Sequence, residues 1–255
     1  MLAVFKREFL SYFRSPVGYV ALALFSFLSG YIFVSLFGSG EVNLAVEINL
    51  LTRYFMIIIP IITMGLFSED KKRGTEVLYY SSPVSLFSVV MGKFLAALSL
   101  FAVLFVNVII HMIITAMYGG VVDINAWGSV IVYFFLAALF IAIGVFASAL
   151  TDNQIIAAII SFVIILAINL LSYISGMAQS AATTIATSLG SDVDKVNTIG
   201  ERVAAVINWF DPLEKTKNFL YGIFSVAPLI FCLSFTLVFL FLTYRVLEKK
   251  RWSQG

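Results

Sequence analysis

Long stretches without a charged residue constrain this chain more than any other feature. The stretch from Val17 to Phe37 contains only apolar, aromatic and small residues. At 1.5 Å per residue it reaches about 31 Å, which is the thickness of the hydrocarbon core of a bilayer. Hydrophobic residues make up 61% of the sequence and charged residues only 12%. We therefore predict that lipid solvates most of the protein surface.

Several stretches of this kind predict six transmembrane helices in a single all-α membrane domain over residues 1–255. The predicted spans are 17–37, 50–67, 89–118, 127–150, 154–174 and 223–244. Arg53 and Pro60 fall within the second span, so we expect Arg53 to reach the membrane interface and Pro60 to kink the helix. Residues 1–16 alternate apolar and charged residues, which is typical of an amphipathic helix lying in the interface.

The distribution of Lys and Arg predicts the orientation. Basic residues, Lys93 included, are more numerous near the two termini and around the segment 68–88 than on the opposite side. The positive-inside rule therefore places both termini and this segment in the cytoplasm. Residues 175–222 then form an extracellular helical insertion before the last span. The net charge of +2 and the dispersed basic residues do not indicate a nucleic-acid partner.

The sequence does not predict a catalytic or metal site. It contains neither a GxxxxGK[ST] phosphate-binding loop nor a GxSxG motif. The single His111 has no second His, Cys or carboxylate nearby in the sequence, so we interpret it as a packing residue. No Asp or Glu falls well inside a predicted span, which argues against a stand-alone channel or an ion-coupled secondary transporter.

The segment 68–88 is the most informative part of the sequence. Gly74 interrupts a charged run, and Thr75 is suited to cap a short helix at the membrane surface. Apolar and tyrosine residues in this exposed segment indicate a docked partner. A basic loop that only fixes the topology has a similar composition, and this alternative stays open.

Four features occur in a fixed order along the chain. They are the basic N-terminal helix, the sequence Ser15-Pro16-Val17-Gly18-Tyr19, the run from Glu69 through Gly74-Thr75-Glu76 and Ser82-Pro83-Val84-Ser85 to Gly92-Lys93, and Phe210-Asp211-Pro212 with the closing Leu247-Glu248-Lys249-Lys250-Arg251-Trp252. Over nearly the whole chain these features resemble ABC-2 type permeases. The resemblance is to the branch associated with gliding motility, which is related to the copper-site maturation permeases.

This resemblance implies a function. The chain is expected to be the permease subunit of a prokaryotic ABC transporter in the inner membrane, an exporter driven by separate ATPase subunits. ATP and Mg²⁺ would bind to those subunits, and this chain would hold no cofactor and have no enzymatic activity. The resemblance also implies pairing with a second permease copy or a paralogue. Two alternatives stay open: a membrane anchor that transmits force in an envelope or motility complex without moving a solute, and the channel or secondary transporter considered above.

The resemblance also assigns roles to residues. A connecting helix matches Phe5 to Phe13, with Phe5, Arg7, Glu8 and Phe9 as its expected contact residues. A coupling helix matches Glu69 to Ser85, and the expected ATPase contacts are Glu69, Asp70, Arg73, Gly74, Thr75, Glu76, Leu78, Tyr79 and Pro83. An extracellular gate is expected at Trp209, Phe210, Asp211 and Pro212. The outer segment could equally be a lid that seals the bundle, and its length leaves room for an extracytoplasmic accessory protein.

Overall fold

The computed structural model describes residues 1–38, 43–77, 84–188, 201–202 and 204–253, which form α-helices and short connections with no β-strand among them. The helices are α1 (Leu2–Arg14), α2 (Pro16–Gly38), α3 (Leu44–Thr52), α4 (Phe55–Thr63), α5 (Gly65–Lys72), α6 (Leu86–Met117), α7 (Ile124–Leu150), α8 (Gln154–Ser188), α9 (Pro212–Thr216) and α10 (Ala227–Ser253). A 3-10 helix (Lys217–Tyr221) follows α9, and residues 204–209 are also helical.

Within the described residues, α2, α6, α7, α8 and α10 are long and apolar enough to cross a bilayer, and α3 with α4 and α5 makes a sixth span if the bent pair counts as one. The predicted all-α integral membrane class is therefore confirmed. The helices extend beyond the apolar runs, since α3 begins at Leu44 rather than Leu50 and α8 continues to Ser188 rather than ending near Ile174. Helix α8 is about 52 Å long, so it projects beyond the hydrocarbon core.

Helix α7 forms the centre of the bundle. It packs against α3, α4, α5, α6, α8 and α10. Most of its residues are buried, whereas α8 leaves most of its surface exposed. Small residues along α7, such as Ala137, Ala142 and Gly144, are buried against these neighbours. They allow the helix backbones to approach closely, as is usual between helices in a membrane.

Replacing Gly144 with Ala should destabilise the bundle, because α7 and α4 touch at this point. A Cβ atom at Gly144 would lie 2.8 Å from Thr63 Cβ. Thr63 is fully buried, and its hydroxyl donates to the Ile59 carbonyl at 2.8 Å. We expect Gly144→Ala to lower the free energy of unfolding by about 1–3 kcal/mol, measured by SDS titration of the purified chain. Adding Thr63→Ala should recover most of this loss, and a stable single variant would contradict the close contact.

The second span is bent by 58° between α3 and α4, at Arg53 and Tyr54. This bend lies before Pro60 rather than at the proline, which is inside α4. The Met64 N–H still donates to the Pro60 carbonyl at 2.9 Å, so the helix continues past the proline. Since α4 begins at Phe55, only about one turn of helix precedes the proline ring, which leaves little helix for it to distort.

A smaller break separates α4 from α5 at Met64, and α7 satisfies the polar groups near it. Ser148 Oγ accepts hydrogen bonds from the backbone N–H groups of Phe67 and Ser68, at 2.9 and 3.1 Å. It also donates to the Met64 carbonyl at 2.9 Å. The two N–H groups belong to the first turn of α5, where no helical partner is available. A single serine therefore stabilises the start of α5.

Helix ends on one side of the bundle define what we call the terminal face. Ionic contacts bring α1, the end of α5 and the start of α6 together there. Lys71 of α5 donates to the Ala149 carbonyl at the end of α7. Burial, followed by the nearby Lys250 at the end of α10, lowers the pKa of Lys71 to about 8. The opposite side, which we call the far face, contains the end of α2, the start of α3, the end of α6 and residues 204–226.

Candidate functional site

A buried lysine joins three helices on the terminal face. Lys93 of α6 is 1% exposed, and its Nζ lies 2.9 Å from Glu8 Oε1 of α1 and 2.6 Å from Asp70 Oδ2 of α5. It also donates to the Leu66 carbonyl. Arg7 adds a second cation, because its Nη2 lies 2.5 Å from Glu8 Oε1 and 3.9 Å from Asp70 Oδ2. We call Arg7, Glu8, Asp70 and Lys93 the Lys93 cluster.

Burial makes the members of the Lys93 cluster depend on one another. A lysine removed from water is costly unless carboxylates replace its hydration. Both carboxylates are largely shielded as well, with side-chain exposures of 11% for Glu8 and 19% for Asp70. The Phe67 ring adds a cation–π contact, with its centroid 5.2 Å from Lys93 Nζ. If one member is removed, the oppositely charged group that it contacted stays shielded from water and has lost its ionic partner.

The sequence of α1 places Glu8 against the bundle. Glu8 and Tyr12 are the buried residues of this helix and lie one turn apart, and Phe5 and Phe9 pack beside them with ring centroids 5.9 Å apart. The Tyr12 hydroxyl donates to the Ile62 carbonyl of α4 at 2.8 Å. Burial, with a smaller effect of the Glu8 carboxylate, raises the pKa of Tyr12 well above its ordinary value. The phenol therefore stays protonated and keeps this hydrogen bond.

The residues that follow α5 turn back onto Asp70. Thr75 Oγ1 donates to Asp70 Oδ1 at 3.0 Å, and the Thr75 N–H donates to the Asp70 carbonyl at 2.9 Å. Gly74 allows this turn, because its φ of 69° lies in the left-handed region that favours glycine. Arg73 and Glu69 form an ion pair at 2.5 Å, with side-chain exposures of 70% and 41%. This pair is accessible to a partner protein.

The predicted coupling residues therefore have different environments. Asp70 belongs to the Lys93 cluster, whereas Glu69, Arg73 and Gly74 are accessible. Glu76 has one buried carboxylate oxygen, Oε2, without a hydrogen-bond partner among the described residues. The predicted coupling residues outside the described part of the chain are Leu78, Tyr79 and Pro83. Of the predicted connecting residues, Phe5 and Phe9 pack against the core, and Arg7 and Glu8 are members of the Lys93 cluster.

The predicted gate residues on the far face divide into two groups. Trp209 and Phe210 are exposed, and their rings meet edge to face with centroids 4.8 Å apart. Asp211 is fully buried, and its Oδ1 accepts hydrogen bonds from two backbone N–H groups at the start of α9, whose first residue is Pro212. Its Oδ2 accepts from Ser172 Oγ at 2.5 Å. Asp211 and Pro212 thus fix the backbone. The exposed Trp209 ring also packs edge to face against Phe231 of α10, with centroids 6.2 Å apart, and Lys215 Nζ lies 5.5 Å from its centroid.

A second buried pair of titratable side chains lies in the half of the bundle nearer the far face. Glu47 of α3 is buried, and its Oε1 lies 2.6 Å from His111 Nδ1 of α6. From α2, the Phe33 ring stacks on the imidazole with centroids 4.2 Å apart, and Ser29 Oγ lies 3.5 Å from Glu47 Oε1. Glu47 Oε2 is buried without a hydrogen-bond partner in the described part of the chain. The described residues contain no group of three or more side chains suited to a metal ion.

One expectation about charge is therefore corrected. The sequence counts Lys93 among the charges outside the membrane, but the structure buries it against Glu8 and Asp70 of two other helices. Glu47, in the first turn of α3, is also buried, against His111 of α6. Lys93 is the one Lys, Arg, Asp or Glu of α6. A lone charge in a long apolar helix is the signal that predicts a buried partner.

These features define a membrane protein of several spans that holds an amphipathic N-terminal helix against a charged segment through buried ion pairs. The family model described as "ABC-2 family transporter protein" matches residues 2–252. The chain belongs to this family and is a membrane permease of an ABC transporter, a transport subunit that is not itself an ATPase. Family membership implies ABC ATPase subunits as partners. Among curated proteins, none is significantly similar in sequence to this chain.

Proposed function

We propose that this permease is the membrane subunit of an exporter in which separate ATPase subunits bind ATP and Mg²⁺ and move the terminal face. The Lys93 cluster is the observation that carries this proposal. Because Lys93 contacts Asp70 and Glu8 together, a displacement of the segment after α5 moves α1 and the start of α6 with it. A set of directly bonded side chains is a physical route for such coupling.

The proposed orientation places the terminal face and both termini in the cytoplasm of a prokaryotic cell. The excess of Lys and Arg on this side supports it. The proposed ATPase contact comprises the exposed Glu69–Arg73 pair, the turn through Gly74 and Thr75, and Glu76. Leu78, Tyr79 and Pro83 continue this proposed contact along the sequence.

The proposed assembly contains two permease copies, or one copy and a paralogue, because paired ATPases require two membrane partners of similar shape. The exposed rings of Trp209 and Phe210 belong to the proposed exit gate on the far face. The length of the segment 175–222, of which residues 189–200 and 203 lie outside the described residues, leaves room for an accessory protein. The order of sequence motifs supports the gliding-motility branch and its relation to the copper-site maturation permeases.

The buried charges affect the choice between functions. The sequence disfavours an ion-coupled secondary transporter, because no Asp or Glu falls well inside a span, and Glu47 lies in the first turn of α3. Membership of the ABC-2 family also favours ATP-driven transport. The force-transmitting anchor shares the same coupling surface, so substrate stimulation of the ATPase is the measurement that separates it from an exporter.

Changing both Glu69 and Arg73 to Ala tests the proposed function. The permease should be co-purified with its ATPase subunits and reconstituted in nanodiscs, and the ATPase rate compared with that of the ATPase alone. We expect the permease-dependent change in rate to fall about tenfold in Glu69→Ala/Arg73→Ala, as for residues that anchor an interface.

A matched control is Arg245→Ala/Glu248→Ala. It removes a partly exposed ion pair, with a 2.5 Å separation, from α10 near the same face. The control should retain the coupled rate, because this pair lies outside the proposed contact. Unchanged coupling in the Glu69/Arg73 variant, or an equal loss in both variants, would contradict the assignment.

A further inference from the structure

A cavity of about 510 Å³ opens beside the bend in the second span. Its walls come from α3 and α4 around Arg53, from α8 around Asn169, and from α9 with the following 3-10 helix around Lys217. Its volume lies within the range of about 300–1,000 Å³ that is typical of small-molecule sites. We call it the Arg53 cavity. It is separate from the Lys93 cluster, which lies on the terminal face.

The charged residues that line the Arg53 cavity are both cations. They are Arg53 and Lys217, and no Asp or Glu contributes to the described lining. Arg53 has no ion pair with any described residue, whereas Lys217 contacts Glu214 Oε2. The side-chain amides of Asn49 and Asn169 also line the cavity. Each has one N–H left, because Asn49 Nδ2 already donates to Tyr133 Oη and Asn169 Nδ2 to the Ile165 carbonyl. This lining attracts an anion.

The cavity lies in the half of the bundle nearer the far face, since Asn169 is about 22 Å along α8 from Gln154 at the terminal end. Arg53 and Lys217 are both exposed, so an anion can reach the two cations from outside the bundle. The guanidinium group is suited to phosphate and carboxylate because it donates two parallel hydrogen bonds.

The same cavity has an apolar side. Met56 and Leu166 contribute to its lining, and Leu170 is both a lining residue and exposed on the outer surface of α8. Val163 and Tyr173 extend this exposed apolar surface along the helix. The cavity therefore borders the surface that meets lipid chains, so a molecule with a charged head and an apolar tail fits both parts.

We propose that the Arg53 cavity binds the anionic headgroup of an amphiphile, with a phosphate or carboxylate at Arg53 and Lys217 and the apolar tail along α8 at Leu166 and Leu170. The ligand comes either from the bilayer, as an anionic phospholipid, or from the cargo of the transporter. The site belongs to this chain alone, so it does not depend on the proposed coupling to an ATPase.

The test is lipid binding by the full-length chain, delipidated in detergent and measured by native mass spectrometry. The probe is phosphatidylglycerol, and phosphatidylcholine with the same acyl chains is its zwitterionic counterpart. We expect about tenfold tighter binding of phosphatidylglycerol in the wild type. Arg53→Gln/Lys217→Gln should abolish this preference, and Arg53→Lys/Lys217→Arg should keep most of it.

The control variant Lys6→Gln/Lys249→Gln removes the same number of charges from exposed positions away from the cavity. It should keep the preference for phosphatidylglycerol within about twofold. The proposal is wrong if wild type binds both lipids equally, or if both double variants lose the preference alike. It is also wrong if Arg53→Gln/Lys217→Gln changes only the number of permease copies in the complex, because Arg53 would then face a second copy.

A final arm separates the two sources of the ligand. With the ATPase subunits present, a cargo-like role predicts that phosphatidylglycerol raises the ATPase rate in wild type and not in Arg53→Gln/Lys217→Gln. A bound bilayer lipid predicts specific binding with the same ATPase rate in both. Both results support the site. If inorganic phosphate bound to the cavity as tightly as phosphatidylglycerol, the apolar tail would contribute nothing, and the amphiphile part of the proposal would be wrong.

Discussion

Replacing Lys93 with Met is expected to lower the free energy of unfolding by about 3–5 kcal/mol, the usual cost of removing one partner from a buried ion pair. Methionine fills a similar volume without the charge, so the loss comes from the Glu8 and Asp70 carboxylates, which lie 2.9 and 2.6 Å from Lys93 Nζ. SDS titration of the purified chain in mixed micelles measures the change. Lys72→Met is the control, because Lys72 is exposed in α5, and we expect an effect within about 0.5 kcal/mol.

Neutralising the three cluster members other than the half-exposed Arg7 should reverse most of this loss. In Glu8→Gln/Asp70→Asn/Lys93→Met no charge is left buried without a partner, and removing both sides of a buried interaction is often nearly neutral. A triple variant as unstable as Lys93→Met alone would show that the lysine acts through packing rather than charge. The stabilised triple variant also isolates the coupling role, because any remaining loss of permease-dependent ATPase activity cannot then be attributed to unfolding.

The apolar helices could be predicted well from the sequence, since an uncharged run long enough to span a bilayer has few alternatives to a transmembrane helix. The run Val17–Phe37 corresponds closely to α2, Pro16–Gly38. The bend in the second span was harder to predict, because the residues beside it contact another helix. Asn49 Nδ2 of α3 donates to Tyr133 Oη of α7 at 2.6 Å. Such a contact joins residues far apart in the sequence, and no local pattern indicates it.

The charged segment after α5 was predicted to be functional, and the role of Lys93 was not. Asp70 and Glu8 were both predicted site residues, but in two separate helices with separate roles. Their link through Lys93 exists only because α1 packs beside the start of α6. A sequence shows how many charges a segment carries, whereas pairing across the fold decides which of them are buried. Glu47 illustrates the same point, since its partner His111 is on another span.

Replacing His111 with Phe is expected to lower the free energy of unfolding by about 3 kcal/mol. The Phe ring preserves the stack on Phe33, whose centroid is 4.2 Å from that of the imidazole. The variant therefore removes the contact with Glu47 Oε1 at 2.6 Å and little else. Glu47 then keeps only the Ser29 hydroxyl, at 3.5 Å. SDS titration measures the loss, and Asn107→Leu on the same helix is the control. Its neutral contact with Ser26 should be worth only about 1 kcal/mol.

A double-mutant cycle with Glu47→Leu attributes the loss to the Glu47–His111 contact. If the pair matters because each side chain satisfies the other in a buried site, Glu47→Leu/His111→Phe should be more stable than His111→Phe alone, with an interaction energy of about 1–3 kcal/mol. Simple addition of the two losses would mean that each side chain packs independently. Glu47 lies in the first turn of the bent span and His111 lies on α6. A large interaction energy would therefore identify this pair as the contact that joins the two spans on the side opposite to Lys93. The permease would then have one buried polar link near each face, so that α6 can transmit a movement of the terminal face to the far half of the bundle.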